Sequence, residues 1–332
     1  GPTGADAVPT RYTAAARGCQ GEERTLRIDV FPSDQVLFSA GIESKRGIFE
    51  KVVGSLNEVL KRTSIGAAEL TLTLPTVAAC NDPAYVKQQL RPPADPNAAR
   101  LVEAARTLLT EASTRERVGK YAQGLELARQ AAATGKTVDY PALAAEIDLR
   151  LGVLLELDSQ YAEARVALEQ AYYTALAAGH HAVAIDAAVA LVLVMGRRLS
   201  RPEVMQTWAR HAEAYIRRAG TELQRARLDS NRGLGAFLVA EYGDSKARAL
   251  KARAFHLAAL QIYEAEGAEL DIARSLVAIG ETYETMMDEP GQAERYFSEA
   301  SAAFERLGGP EHPGVALSAT LLGLHYTHSD RL

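Results

Sequence analysis

An apolar residue followed by glycine recurs down the last two-thirds of the chain, at Leu151-Gly152, Leu234-Gly235, Ile279-Gly280 and Leu322-Gly323. Each pair lies inside a helix-forming apolar stretch, and mostly a second such stretch follows. Glycine in a helix interior costs about 1 kcal/mol against alanine, so its return at corresponding places marks positions where small size is required for two helices to approach. The pattern is that of a helical hairpin repeated in tandem. Tandem hairpins stack into a solenoid in which each packs only on its neighbours, so 332 residues can form one continuous superhelix.

The turn signals fall where hairpins need them. Gly135, Gly179, Gly220, Gly267 and Gly308-Gly309-Pro310 each follow an Ala-rich or Leu-rich amphipathic run, as a helix-ending glycine does. Upstream, residues 1–10 have no periodic apolar face and read as a frayed tail. Over 11–95 the pattern changes: Val36, Ile42, Phe49, Val52, Val53, Leu56, Val59 and Leu60 suggest a helix from Ser33 to Leu60, with a further helix opened by Asp82-Pro83. Arg91 to Pro96 (RPPADP) is the clearest boundary signal. The sequence therefore predicts an all-α protein with essentially no β-structure: a tail at 1–10, a helical unit at 11–95, and a right-handed α-solenoid at 96–332 with about five to six hairpins, the last truncated. Gly1-Pro2 resembles a protease-cleavage scar, so a longer parent protein is expected.

Composition narrows the function classes. A net charge of −5 argues against a phosphate-binding face, and no nucleic-acid partner is expected. The longest apolar run, Ala182 to Met195, carries Asp186 and falls short of the roughly 20 residues that span a bilayer, so it reads as a buried helix without membrane insertion. Thr134-Gly135-Lys136-Thr137 imitates the end of a phosphate-binding loop, but Gln130 stands where that motif needs glycine, and a helix precedes it where a strand is required. No strand-turn Gly-x-Ser-x-Gly accompanies a Ser, His and Asp set, so the fragment is expected to be no enzyme and to carry no cofactor. His325 and His328 share a helix face near Asp330, yet packing of a following helix explains them as well as a metal does. Trp208, beside Ala209 and Ala212, reads as a packing residue.

The best copies of the motif resemble the tetratricopeptide repeat. In one, Leu151-Gly152, Leu155, Tyr161, Ala164, Leu168 and Ala171 follow the family pattern, with Gly152 and Ala164 twelve residues apart; in another, Ile279-Gly280, Tyr283, Ala293, Phe297 and Ala300 do so with one extra turn residue near Glu289-Pro290. A third opens at Leu322-Gly323 and Tyr326. Weaker copies surround Tyr121 and Met205, with Ala112 and Leu193 at the glycine position, and the copy at Gly235 has a lengthened second helix. Gly235 to Gly280 is 45 residues and Gly280 to Gly323 is 43, against about 34 in the standard repeat. This spacing, with Gly309-Pro310-Glu311-His312-Pro313, is similar to the long repeats of kinesin light chains.

The resemblance implies a non-enzymatic module that binds a peptide or protein segment in a concave groove lined by first-helix positions two, five, nine and twelve. Counted from the motif glycines, these include Glu146 and Glu156, then Asp229 and Arg232, then Arg274, Glu281 and Glu284. The groove is mixed and mostly acidic, which suits a peptide of basic or mixed charge. The alternative is a small-molecule or peptide-pheromone receptor that closes around its ligand and regulates a partner or an upstream kinase. Self-association through end repeats is a third reading.

The chain as a whole also resembles the C-terminal region of myxobacterial-type serine/threonine kinases, in which a Cys-containing segment precedes such repeats. Cys19, the stretch Ser33 to Leu60, and Leu74-Pro75 through Cys80-Asn81-Asp82 carry the likeness, although Ser39-Ala40-Gly41 stands where that family has another cysteine. The resemblance implies a bacterial signalling protein, a sensory or scaffolding role, and an extracytoplasmic location on a membrane-anchored parent. Two readings of Cys19 and Cys80 stay open: free thiols, or a disulfide contributing roughly 2–4 kcal/mol.

Overall fold

The computed structural model describes the strands at 10–17, 23–30 and 36–41 together with residues 93–286 and 290–328. The chain divides into two units, Gly1–Arg91 and Pro92–Leu332. In the first, β1 (Thr10–Arg17), β2 (Glu23–Val30) and β3 (Val36–Gly41) form an antiparallel sheet in the order β1-β2-β3. Its register sets Thr13 opposite Arg27, and Arg27 opposite Ser39.

The sheet corrects the expectation of essentially no β-structure and of a helix beginning at Ser33, since residues 36–41 are β3 and Thr10 opens β1 rather than ending a tail. The reason is visible in β2. Leu26, Ile28 and Val30 alternate with Arg27 and Asp29, the period of a strand, while the helical spacing read into this region begins clearly only at Phe49. Cys19, Cys80 and residues 42–92 of the expected helical unit lie outside the described residues.

The second unit is all helix and turn among its described residues. The first pairs are α1 (Pro96–Arg117) with α2 (Tyr121–Gly135), α3 (Pro141–Leu157) with α4 (Tyr161–Ala178), and α5 (His181–Leu193) with α6 (Pro202–Ala219). Then come α7 (Glu222–Gly235) with α8 (Ser245–Glu266), α9 (Glu269–Met286) with α10 (Pro290–Gly308), and α11 (Pro313–His328). Each pair packs as a hairpin, and successive first helices also touch, which is the arrangement of a solenoid.

Local chemistry sets the boundaries. The Asp95 carboxylate accepts from the backbone N–H of Asn97 at 3.3 Å and of Ala98 at 2.9 Å, and Pro96 takes the first helical position, where its missing N–H costs nothing. Thr221 and Gln224 cap each other's backbone N–H at the start of α7. Pro141, Pro202 and Pro313 open α3, α6 and α11. A π-helical turn, Val194–Arg198, extends α5.

Packing explains the recurring glycines. A Cβ on Gly152 would lie 2.5 Å from Cγ of Leu168, and one on Gly280 would lie 2.5 Å from Cε1 of Phe297; both partners are fully buried. In α7/α8 that role falls to Gly233, whose Cβ would come within 2.6 Å of His256 Nε2. Gly235 instead faces the preceding hairpin, against Met205 and Gly196. The Leu-Gly pair at 234–235 thus carries the motif's letters but not its contact. Two 3-10 turns, Ala236–Leu238 and Ala240–Tyr242, lengthen the connection that follows. Trp208 is buried in the largest core cluster, as its neighbours Ala209 and Ala212 suggest.

Candidate functional site

On the side where successive first helices meet, polar side chains are paired from one helix to the next. Between α1 and α3, Arg106 donates twice to Glu146, at 2.9 and 2.7 Å, and Arg150 donates to Glu116 at 2.6 Å. From the extension of α5, Arg198 reaches Glu156 on α3 at 2.6 Å. The Gln224 amide of α7 donates to Asp186 of α5 at 2.9 Å, and Asn231 donates to the Val189 carbonyl at 2.8 Å. Arg227 donates to Asp271 of α9 at 3.1 and 2.8 Å.

The series then returns to its start. Arg274 of α9 donates to Glu116 of α1 at 3.3 Å, 158 residues away in sequence. Arg197, beside Arg198 in the π turn, reaches Glu281 of α9 at 3.0 Å. A side chain from the turn before α11 also closes on the end of α1, since His312 Nε2 lies 3.3 Å from the Arg117 carbonyl and its Nδ1 accepts from the Gly314 N–H at 2.9 Å. The second bond leaves Nδ1 without a proton, so His312 is neutral and donates through Nε2. Gly119, with φ +74°, packs directly against Pro313 and His312. Both its left-handed conformation and the close approach require glycine. The five first helices are therefore joined in a circuit rather than an open row.

Burial tunes the charges on this face. Desolvation pushes the Glu146 carboxyl up, but the bonds from His180 and Arg106 outweigh it and hold the group below the usual range. For Arg274 the same competition is won by Glu116 and Asp271, and for Arg227 by Asp271 and Asp186; both guanidinium groups are held more firmly protonated. Asp186 goes the other way: burial raises it despite Arg227 and Gln224. Asp148, on α3, is pushed up to about 6 by burial alone. Arg117, next to Glu116, is lowered by burial against the partial compensation of Asp271, Glu116 and Glu269.

The sequence-derived candidates are placed as follows. Glu146 accepts from Arg106 and sits 3.3 Å from His180; Glu156, Arg274 and Glu281 hold the bonds given above. Glu284 faces His325 at 2.5 Å and His328 at 2.8 Å, so both histidines reach a carboxylate on α9. Asp229 and Arg232 stand apart: Arg232 pairs with Asp229 at 3.6 Å and with Glu213 of α6 at 2.7 Å. Because Gly233 makes the hairpin contact, the α7 residue in the register of Glu146 and Arg274 is Arg227, two positions before Asp229. Counting from Gly233 instead of Gly235 finds it. Glu116, Arg117 and Arg150 were missed, and no local signal marks Glu116, whose second partner is distant in sequence.

No protein-family description matches the chain, and no curated protein matches it. Among solved structures, it is similar to a Rap protein complexed with competence and sporulation factor, with 11% identity and a TM-score of 0.53 over 85% of this chain and 89% of that one. None of these comparisons supports a link to a kinase. At that identity the likeness is one of fold, and the fold of this chain is a TPR-like α-solenoid.

Proposed function

We propose that this chain is a non-enzymatic binding module that takes a peptide or protein segment against the inner face of its first helices. The carrying observation is the circuit of charged and amide side chains that links α1, α3, α5, α7 and α9. A solenoid needs no such polar lining for stability, because partly exposed ion pairs contribute only about 0–1 kcal/mol each. A lining of exchangeable donors and acceptors serves a polypeptide, whose backbone and side chains can replace one partner with another. The Rap structure contains competence and sporulation factor, which is consistent with a ligand bound by this fold.

A second reading is favoured by one feature, the α9-to-α1 seam. A circuit that opens and closes gives a ligand two arrangements to choose between, which suits a peptide or small-molecule receptor that regulates a partner. Both readings are tested by capture from native lysate and by peptide arrays, using the parent and the variants Arg227→Glu, Glu281→Arg and Arg232→Glu, each checked for helicity. Loss of a bound peptide at positions 227 and 281 with retention at 232 supports the inner face. Equal loss at all three, or at none, refutes it.

A further inference from the structure

We propose that the outer face of α8 is a second docking surface, a shallow apolar groove between two lysines that seats an acidic amphipathic helix of a partner protein. It lies on the second helix of a hairpin, whereas the peptide site above lies on the first helices, so neither depends on the other.

Charge sets α8 apart. The chain carries a net charge of −5, yet Ser245 to Tyr263 hold Lys246, Arg248, Lys251 and Arg253 and no acidic residue. Two of these cations are used inside the fold. Arg248 donates to the carbonyls of Gly243 and Phe237, at 2.7 and 3.0 Å, and the Arg253 guanidinium lies 4.2 Å from the centre of the Tyr283 ring. Lys246 and Lys251 are exposed, and among the described residues neither is paired with a carboxylate. The Lys251 ammonium stands over the Phe255 ring at 4.9 Å, which holds its charge close to the helix surface.

An apolar stripe runs between the lysines. Leu250 and Leu257, 44% and 37% exposed, recur seven residues apart with Ala254 between them, the spacing of one helix face. Ala252, His256 and Tyr263 are buried on the other side of the helix, so the leucines face away from the core. Tyr242, from the insertion before α8, walls one end, and with Ala247, Leu250, Lys251 and Ala254 it lines an open groove of about 390 Å³. At about 100° per residue, Lys246 and Lys251 stand about 140° apart around the helix, with Leu250 and Ala254 between them.

The occupant's chemistry follows from these walls. The backbone groups of α8 are spent within the helix, so an extended segment lying along it would find no backbone partners. A helix brings its own backbone bonds and needs only a matching side-chain surface. Ala247 and Ala254 allow it to approach closely, the leucines receive its apolar face, and carboxylates on its flanks meet Lys246 and Lys251. A helix with basic flanks is repelled. Anionic lipid is disfavoured, because segments that hold to it carry roughly four to eight cations and α8 has two to offer.

The test uses the full chain and three fluorescein-labelled helical peptides of about 18 residues. The first has leucines on one face and glutamates on its flanks; the second has lysine for each glutamate; the third has serine for each leucine. Fluorescence anisotropy is expected to show at least tenfold tighter binding of the first than of the other two. A tenfold loss is expected in Leu250→Asn and in the double variant Lys246→Glu, Lys251→Glu, each checked for helicity. The double variant is expected to gain affinity for the second peptide, and Lys136→Glu, just past α2, to change nothing. Equal binding of the first two peptides, or binding unaffected at Leu250 and the two lysines, overturns the docking surface and leaves the inner-face reading intact. Loss of the first peptide in Arg227→Glu but not in Leu250→Asn places that peptide on the inner face and also overturns it. Leu250-dependent binding to vesicles of phosphatidylserine and phosphatidylcholine, with no peptide bound, assigns the face to a lipid surface. Leu250-dependent growth of mass with concentration, with no peptide bound, assigns it to a second copy of this chain. Either result overturns the proposal.

Discussion

Adding one methyl group at Gly280 and at Gly323 is expected to change stability in opposite directions. At Gly280 the new Cβ would lie 2.5 and 2.7 Å from two carbons of the Phe297 ring and 3.1 Å from a third, and that ring is fully buried between α9 and α10. It has no exposed end to swing away, so the hairpin must spread. Overpacking of this kind costs about 2–3 kcal/mol, offset by the roughly 1 kcal/mol that alanine gains over glycine in a helix, leaving a net loss of about 1–2 kcal/mol. For a unit of this size, that corresponds to a drop in Tm of about 2–8 °C. At Gly323 nothing stands within 4 Å of the added atom, so only the propensity acts and Gly323→Ala is expected to gain up to about 1 kcal/mol. Thermal unfolding followed by circular dichroism measures both. An unchanged or raised Tm for Gly280→Ala would refute the argument that the repeated glycine is there for helix approach.

Two further outcomes concern pH. His256 fills in α8 the slot that Leu168 and Phe297 fill in their hairpins, and burial lowers its pKa to about 4. The native state keeps the neutral ring, so stability from this residue is complete above pH 6.5 and is lost as pH falls towards 4, by about 3 kcal/mol at the low end. His256→Leu is expected to remove that part of the acid sensitivity, as read by urea midpoints at pH 7.5 and 4.5; an unchanged acid loss contradicts it. For Asp148 the sign is opposite. Its carboxyl is raised to about 6, so the native state holds the proton more tightly and stability falls as pH rises from about 4 to 6. Discounted for solvent around a half-buried side chain, Asp148→Asn is expected to gain about 1–2 kcal/mol at pH 7.5 and nothing at pH 4. An equal gain at both pH values means that the charge is not the cause.

The parts of this fold legible in sequence are those set by near neighbours. The glycine of each hairpin meets a partner 16 residues on at Leu168 and 17 on at Phe297, so the motif announces itself, and Asp95-Pro96 marks the first helix by contacts three residues long. Register was lost at Gly235 because two glycines stand within three residues and the insertion at 236–242 obscures which one faces α8. The strand β2 was readable from Leu26, Ile28 and Val30, but three alternating residues are a weak signal beside a long helical pattern. The candidate face was legible as a set of charged first-helix positions. Its pairing was not, because a sequence gives the number of charges while only the fold says which of them are spent on each other. Glu116 and Arg274 belong to hairpins that never adjoin in sequence, and no periodicity connects them.

The seam between α1 and α9 also bears on how such a chain can change over generations. Open solenoids lengthen readily, because a duplicated hairpin adds one more neighbour of the same kind and disturbs nothing beyond it. Here an extra hairpin between the first and the fifth would carry Arg274 away from Glu116 and His312 away from the Arg117 carbonyl. Tandem duplication inside the circuit therefore breaks a contact that lies outside the duplicated segment. Keeping that meeting between its two extremes requires the number of hairpins from α1 to α10 to stay the same, whereas a change in a turn such as the insertion between α7 and α8 leaves it intact.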